Sequence, residues 1–426
     1  MPILEGFRIQ NYRALKDVTL GRLWNQQDQA RLTPLVAVIG KNGAGKTTLF
    51  DAFGFLSDCL AVGIEEACDL RDRGGFQKLR SAGSDEPIRF EVYYRASPSD
   101  RPITYELAIS LDHRHRPYVV EERLRQRRKG QKRGRPFSFL YLHKGKGLAW
   151  TGAEMASSDL EDLFDQKQLG QKVFPGKNEE IPETVEVELN DVRQLGIATL
   201  GSLKNHKRIA QFREFLQGWY LSYFSPDAAR TRPKAGPQSH LNGRGDNLAN
   251  VVQYMEREHP KKFKRILENI AGKIPGITAI KTERTRDGYL LLCFYNQGFP
   301  DPFFVQQMSD GTLKLFTYYL LLESSDSASF ICIEEPENGL YHKVLSDLVH
   351  EFRQHATAAH APQLFITTHQ PYLVDALSPE EAWILKKGDD GFSKISRAAD
   401  DPLIRNMVKA GLPLGGLWFS DYLDPR

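Results

Sequence analysis

The sequence predicts an α/β fold, and three kinds of pattern support that prediction. Residues 35–39 are apolar throughout, as in a strand buried on both faces, and a glycine-rich turn separates them from apolar residues at helical spacing between 49 and 60. Between 88 and 142, short runs alternate apolar and polar residues, which is typical of antiparallel strands. Helical periodicity returns at 203–220 and 246–270. We therefore expect a parallel core sheet, an inserted antiparallel sheet and a helical lobe.

The glycine-rich turn fits the phosphate-loop pattern G-x-x-x-x-G-K-[ST]. Glycines allow a tight turn that brings backbone N–H groups against phosphate oxygens, where a side chain would block the approach. Lys46 is expected to reach the β- and γ-phosphates, and the Thr47 hydroxyl to bind Mg²⁺. A chance turn is the alternative, and the flanking strand and helix argue against it. The predicted nucleotide-binding residues are Gly40, Lys41, Asn42, Gly43, Ala44, Gly45, Lys46, Thr47 and Thr48.

Composition narrows the class of protein. With 41% hydrophobic and 26% charged residues among 426, the chain can bury a core and stay soluble. It has no run of about 18 apolar residues and no basic-then-apolar leader, so we expect neither a membrane span nor a secretory signal. The four cysteines lack C-x₂-C spacing, which disfavours a zinc site and favours buried thiols in a reducing compartment. We therefore expect a cytoplasmic protein without membrane contact.

Positive charge is concentrated between Arg114 and Arg135. The whole chain nets +3, whereas this stretch holds ten Lys and Arg residues against Glu121 and Glu122. Its last part, 125–136, contains glycines and is interpreted as a hairpin tip or a loose loop. Such a stretch could follow a DNA backbone, because each phosphate contact releases counterions. A solvated hairpin without a partner is the alternative.

A second group of candidate binding residues starts at Ser309-Asp310-Gly311, just before an apolar helical stretch at 313–322. Exposed N–H groups and a hydroxyl at a helix N-terminus are suited to bind an anion. Taken alone, this pattern is an ordinary helix cap.

Acidic residues follow the next predicted strand. Residues 330–333 are apolar and run into Glu334-Glu335-Pro336-Glu337. In a phosphate-loop protein, the carboxyl end of such a strand lies beside the loop, where one acid can hold Mg²⁺ and the next can position water. A third strand, 364–366, runs into Thr367-Thr368-His369, and a histidine there can donate to a γ-phosphate.

In combination, these motifs resemble the ABC-type ATPase heads of the SMC/RecF group. They are most similar to its compact AAA-type predicted ATPases with a Glu-Glu-Pro-Glu-Asn-Gly-Leu Walker B motif. The likeness covers about 1–60 and 300–380. The segments that carry it are Asn11-Tyr-Arg-Ala-Leu15, Gly40-Lys-Asn-Gly-Ala-Gly-Lys-Thr47, Met308-Ser-Asp-Gly-Thr-Leu313, Ile331-Cys-Ile-Glu-Glu-Pro-Glu-Asn-Gly-Leu340 and Thr367-Thr-His-Gln-Pro371.

The resemblance implies roles for individual residues, with ATP and Mg²⁺ as cofactors. The implied catalytic residues are Glu335 as base, His369 as switch histidine and Lys46 on the phosphates. The implied metal ligands are Thr47 and Glu334, the Walker B acid. The implied signature residues are Ser309, Asp310 and Gly311. Glu334 stands where Asp is commoner, Tyr341-His342 where His-Pro is usual, and Gln77 is only a candidate for the Q-loop glutamine.

We divide the chain into four parts on this basis. Residues 1–87 would hold the N-terminal part of the ATPase lobe with the phosphate loop. Residues 88–150 would form the inserted antiparallel sheet, and 151–300 the helical lobe. Residues 301–426 would complete the ATPase lobe with the signature, Walker B and switch-histidine motifs.

The resemblance also implies half-sites, since in similar heads the signature serine of one protomer completes the nucleotide pocket of another. We expect a homodimer through ATP-sandwiched heads, or a higher oligomer. Three functions remain open: a RecF-like DNA-binding protein in repair, an ATPase of a bacterial anti-phage system that controls a separate nuclease or toxin, and the ATP-energising subunit of a transporter. The inserted middle of the chain disfavours the third.

Overall fold

A computed structural model describes residues 2–26, 28–131, 134–151, 184–274, 276–324 and 328–424. The strands are β1 Ile3–Tyr12, β2 Leu15–Gly21, β3 Leu35–Ile39, β4 Ile88–Arg95, β5 Ile103–Leu111, β6 Pro117–Gln126, β7 Phe137–His143, β8 Lys146–Trp150, β9 Thr184–Glu188, β10 Trp219–Ser222, β11 Ile277–Arg284, β12 Leu290–Asn296, β13 Phe303–Phe304, β14 Phe330–Glu334, β15 Gln363–Thr368, β16 Ala382–Lys387 and β17 Ser393–Arg397. The helices are α1 Lys46–Val62, α2 Ile64–Asp69, α3 Phe76–Leu79, α4 Gly196–Leu200, α5 Lys207–Gln217, α6 Pro226–Ala229, α7 Leu248–Glu258, α8 Pro260–Lys273, α9 Asp310–Ser324, α10 Lys343–Thr357, α11 Pro371–Val374, α12 Pro402–Lys409 and α13 Leu414–Phe419.

The six-stranded sheet forms the core around the predicted site. Its order is β10-β14-β15-β3-β16-β17, and only β17 runs antiparallel to its neighbour. All five residues of β3 are buried, as expected for a strand with helices on both faces. On one face, the Phe53 ring of α1 lies 5.1 Å from that of Phe330 and 5.2 Å from that of Phe365. The carboxyl ends of β3, β14 and β15 therefore meet at one edge.

The eight-stranded sheet is antiparallel throughout, with the order β2-β1-β4-β5-β6-β7-β8-β9. The alternating pattern correctly predicted β4 to β7. The sheet also takes in β1 and β2 from before the phosphate loop and β9 from beyond residue 151. Its strands pack against α1 through buried aromatic side chains: the ring centroid of Phe7 lies 4.4 Å from that of Phe53, and that of Phe90 lies 5.9 Å from that of Phe55.

The predicted helical region contains both helices and strands. The periodicity at 203–220 corresponds to α5, after which the chain enters β10 of the core sheet. The periodicity at 246–270 is divided between α7 and α8, because Pro260 cannot donate a backbone hydrogen bond and begins a new helix. A three-stranded sheet, β11-β12-β13, packs beside them.

Within the described ranges, no helix is long and apolar enough to cross a membrane.

Candidate functional site

The phosphate loop joins β3 to α1, as the sequence predicts. Gly43 and Gly45 have φ of 80° and 105°, which disfavour any other residue. A Cβ on Gly45 would lie only 2.6 Å from the Ser393 Oγ of β17. The Ser393 hydroxyl in turn donates to the Ala44 carbonyl at 2.7 Å. Strand β17 therefore packs against one side of the phosphate loop, and the opposite side is available to a ligand.

The Lys46 side chain folds across this loop. Its side chain is only 5% exposed, and its Nζ donates to the Gly40 carbonyl at 2.8 Å. The same Nζ lies 3.3 Å from Glu335 Oε1, so the lysine of the phosphate loop is ion-paired with the second acid after β14. A phosphate group that takes this lysine would release Glu335.

Thr47 and Glu334 form the predicted metal pair. The Thr47 hydroxyl donates to Glu334 Oε1 across the edge between α1 and β14. Burial raises the pKa of Glu334, and the hydrogen bond from Thr47 only partly offsets that effect. An uncharged hydroxyl and a carboxylate in contact beside a phosphate loop are the oxygen ligands that Mg²⁺ takes in such sites, so these residues fit that ion.

The Glu335 carboxylate is held in place by contacts with both of its oxygens, as expected for the predicted base. Its backbone adopts φ of 42°, which turns the chain sharply after β14. Its Oε1 lies 3.2 Å from His369 Nδ1, and its Oε2 accepts a hydrogen bond from Asn338 at 3.0 Å. Burial acts to raise the pKa of Glu335, but Asn338 and the charges of Lys46 and His369 outweigh it, so the pKa lies below its usual value. Glu335 is therefore ionised at neutral pH and can accept a proton.

His369 is held by two residues to which the sequence assigned no role, Glu337 and Trp418. Glu337, whose side chain is 2% exposed, accepts from the Thr368 hydroxyl at 2.7 Å and from the His369 backbone N–H at 3.1 Å. Trp418 donates its indole N–H to the His369 carbonyl at 2.8 Å. Glu337 lies inside the acidic motif and could have been found there, whereas no local pattern marked Trp418.

The signature residues lie at the start of α9. The Ser309 hydroxyl accepts from the Thr312 backbone N–H at 3.2 Å, and Asp310 is ion-paired with Arg230. A Cβ on Gly311 would lie 2.9 Å from the Gly339 carbonyl, so α9 begins directly against the end of the Walker B motif. Among the described residues, no hydrogen bond or ion pair links Ser309, Asp310 or Gly311 to the phosphate loop of the same chain. The structure thus brings the phosphate loop, both acids and His369 together, and leaves the signature apart.

The basic stretch is divided in the structure. Arg123 and Arg125 lie inside β6, where their nearly buried side chains pair with Glu106 at 3.4 and 3.1 Å. Arg114 and Arg116 lie before β6, and the loop 127–136 lies after it. Because β6 has ten extended residues, its two ends are about 30 Å apart. Lys132 and Arg133 fall outside the described residues. The exposed basic residues of the described stretch therefore form two separate groups, Arg114 and Arg116 before β6 and Lys129 and Arg135 after it.

Gln77, the Q-loop candidate, is exposed on α3. In the described part of the chain, no hydrogen bond joins it to the residues around the phosphate loop.

A phosphate loop follows the central parallel strand β3, a histidine follows its neighbour β15, and paired acids follow β14, the next strand beyond. This arrangement defines the nucleotide site of a P-loop NTPase fold. The chain belongs to the AAA domain family described as "AAA domain, putative AbiEii toxin, Type IV TA system", whose model matches residues 35–375. No curated protein matches the chain.

Solved structures similar to the chain include three SMC head domains. The SmcHead bound to the C-winged helix domain of ScpA is 12% identical, with 92% of this chain and 96% of that chain covered and a TM-score of 0.47. The SMC head domain from Thermotoga maritima is 12% identical over 92% and 98%, with a TM-score of 0.42. The Smc head domain with an extended coiled coil, bound to the C-terminal domain of ScpA derived from Pyrococcus furiosus, is 14% identical over 96% and 100%, with a TM-score of 0.46.

Proposed function

We propose that the protein binds ATP with Mg²⁺ and hydrolyses it. The observation that carries this proposal is the convergence of Lys46, Thr47, Glu334, Glu335 and His369 at one edge of the sheet. Thr47 and Glu334 would hold Mg²⁺, which would neutralise charge on the β- and γ-phosphates. Lys46 would bind the same phosphates, and its ion pair with Glu335 would be broken. Glu335 would then take a proton from the attacking water, and His369 would donate to the γ-phosphate.

The position of the signature residues supports a proposal of dimerisation. Ser309 and Asp310 are exposed, and no described contact links them to the phosphate loop of the same chain. If they contact a nucleotide, that nucleotide is bound by a second copy. We therefore propose a homodimer that forms on ATP binding and loosens on hydrolysis, so that the γ-phosphate sets the state of a switch.

Of the open pathways, control of a partner effector in anti-phage defence is the best supported. The family description names a putative toxin of a toxin–antitoxin system. The DNA-binding hypothesis is weakened because Arg123 and Arg125 are committed to Glu106. It remains the second candidate, carried by exposed Lys129 and Arg135 in the loop 127–136.

The direct test compares wild type with Lys46→Ala. Wild type should bind ATP in the presence of Mg²⁺ and release phosphate, and the variant should lose both activities because the charge that binds the phosphates is gone. Calorimetry gives the affinity and a phosphate-release assay gives the turnover. Equal ATP affinity in the two proteins would refute the site.

A further inference from the structure

The segment 414–424, which we name the C-terminal segment, packs against two loops of the candidate site. It comprises α13 and the residues after it, and it lies beyond residue 375, where the family match ends. Trp418 is 6% exposed and Leu423 1% exposed, so the segment is anchored in the core. Phe419, between them, is 80% exposed.

Close backbone packing sets the position of α13. A Cβ on Gly415 would lie 2.0 Å from the Pro371 carbonyl, a distance that no side chain could occupy. Glycine is therefore required there, and α13 lies directly against the chain that follows His369.

This packing brings Trp418 onto the backbone of the switch histidine. Its indole N–H donates to the His369 carbonyl at 2.8 Å, while the His369 N–H is bound by buried Glu337 at 3.1 Å. Both polar groups of the His369 backbone are thus held by buried side chains. With the backbone fixed on both sides, the imidazole Nδ1 stays 3.2 Å from Glu335 Oε1.

The far end of the segment contacts the phosphate loop. Lys41, the second residue of the loop motif, lies 2.6 Å from Asp421 Oδ1 and donates to the Asp424 carbonyl at 3.0 Å. One segment therefore contacts both the loop that would bind phosphate and the loop that carries His369.

We propose that Trp418 is a positioning residue for hydrolysis, and that the C-terminal segment is a working part of the ATPase site. The proposal rests on the function proposed above. Trp418 acts through the His369 backbone and not by contact with the nucleotide. It keeps His369 in line with Glu335 through the His369 carbonyl, so its loss should lower turnover and leave ATP affinity unchanged.

The test uses the full chain with Trp418→Phe, which keeps an aromatic ring and removes the N–H donor. Trp383→Phe is the matched control, because Trp383 is similarly buried and, within the described part of the chain, its indole N–H has no acceptor. Displacement of a catalytic group by a small distance typically lowers rates by up to about 100-fold. We expect kcat to fall between about 10-fold and 100-fold in Trp418→Phe with KM unchanged, and to stay near the wild-type value in Trp383→Phe.

Two further measurements separate positioning from general damage. In a His369→Ala background, Trp418→Phe should cause no additional decrease in kcat, because the residue that it positions is absent. Amide hydrogen exchange across 367–376 should be faster in Trp418→Phe than in Trp383→Phe. Additive decreases, or unchanged kcat together with unchanged exchange, would overturn the proposal. If wild type released no phosphate, the proposed hydrolysis would be wrong, and the exchange result would still decide whether Trp418 holds the His369 loop.

Discussion

Glu335→Gln should separate ATP binding from hydrolysis. Two unit charges 3.3 Å apart, the distance from Lys46 Nζ to Glu335 Oε1, attract by about 5 kcal/mol at an effective dielectric constant of ~20. Solvation of the ions offsets most of this attraction, and partly exposed pairs contribute about 1 kcal/mol net. ATP must displace this contact, so neutral glutamine should tighten ATP binding by roughly fivefold. Loss of the proton acceptor should lower turnover by about 10²- to 10⁴-fold.

Calorimetry with MgATP and a phosphate-release assay, run on the same preparations, measure the two effects. Glu380→Gln is a suitable control, since Glu380 is an exposed carboxylate in the same half of the chain. A Glu335→Gln variant that keeps turnover within threefold of wild type would refute the assignment of the base. Weaker ATP binding would instead show that the Lys46–Glu335 pair organises the loop and does not compete with phosphate.

Ser309→Arg should abolish ATP-induced dimerisation in light scattering and leave ATP binding by single protomers intact; an unchanged dimer would refute the composite site. Reversing the charges of Lys129 and Arg135 should weaken DNA binding almost equally for different sequences. The slope of log affinity against log salt concentration should become shallower by roughly 0.9 for each phosphate that the loop no longer neutralises. Equal isotherms at several salt concentrations would leave the loop 127–136 as a solvated hairpin. Burial raises the pKa of Glu91, opposite Glu106 in the large sheet, to about 7. A buried acid with a raised pKa destabilises the fold above that pKa and ceases to do so as the pH falls toward its ordinary value. Glu91→Gln should therefore raise the urea midpoint at pH 8 and lose this advantage near pH 5, and a gain independent of pH would contradict the argument.

Local signals predicted the elements that surround the site. Each of these signals depends on residues within a few positions of one another: the all-apolar run of β3, the glycines of the phosphate loop and the helical spacing of α1. The sequence was therefore sufficient to predict these three elements. The same holds for β4 to β7, whose period-two pattern is local. The division of 246–270 was missed, although Pro260 gave a local reason to end the first helix there.

The charge pattern was a poorer guide to a binding surface, because the sequence does not show which acidic residues pair with the basic ones. Arg123 and Arg125 appeared available in the sequence. In the sheet, Glu106 lies directly opposite Arg123, and the register that pairs them comes from strand β5. The extended path of β6 also separates basic residues that are neighbours in sequence.

The sequence by itself determined the nucleotide-binding class, because binding phosphate demands a short motif of specified residues at set spacing. It also marked Glu334, Glu335 and His369 as strand-end residues. Only the tertiary structure decided which side chains hold them in place. The contact between Trp418 and His369 spans 49 residues, and that between Lys41 and Asp424 spans 383. Such contacts depend on how separate elements pack and leave no periodic pattern in the chain, so they could be found only once the fold was known.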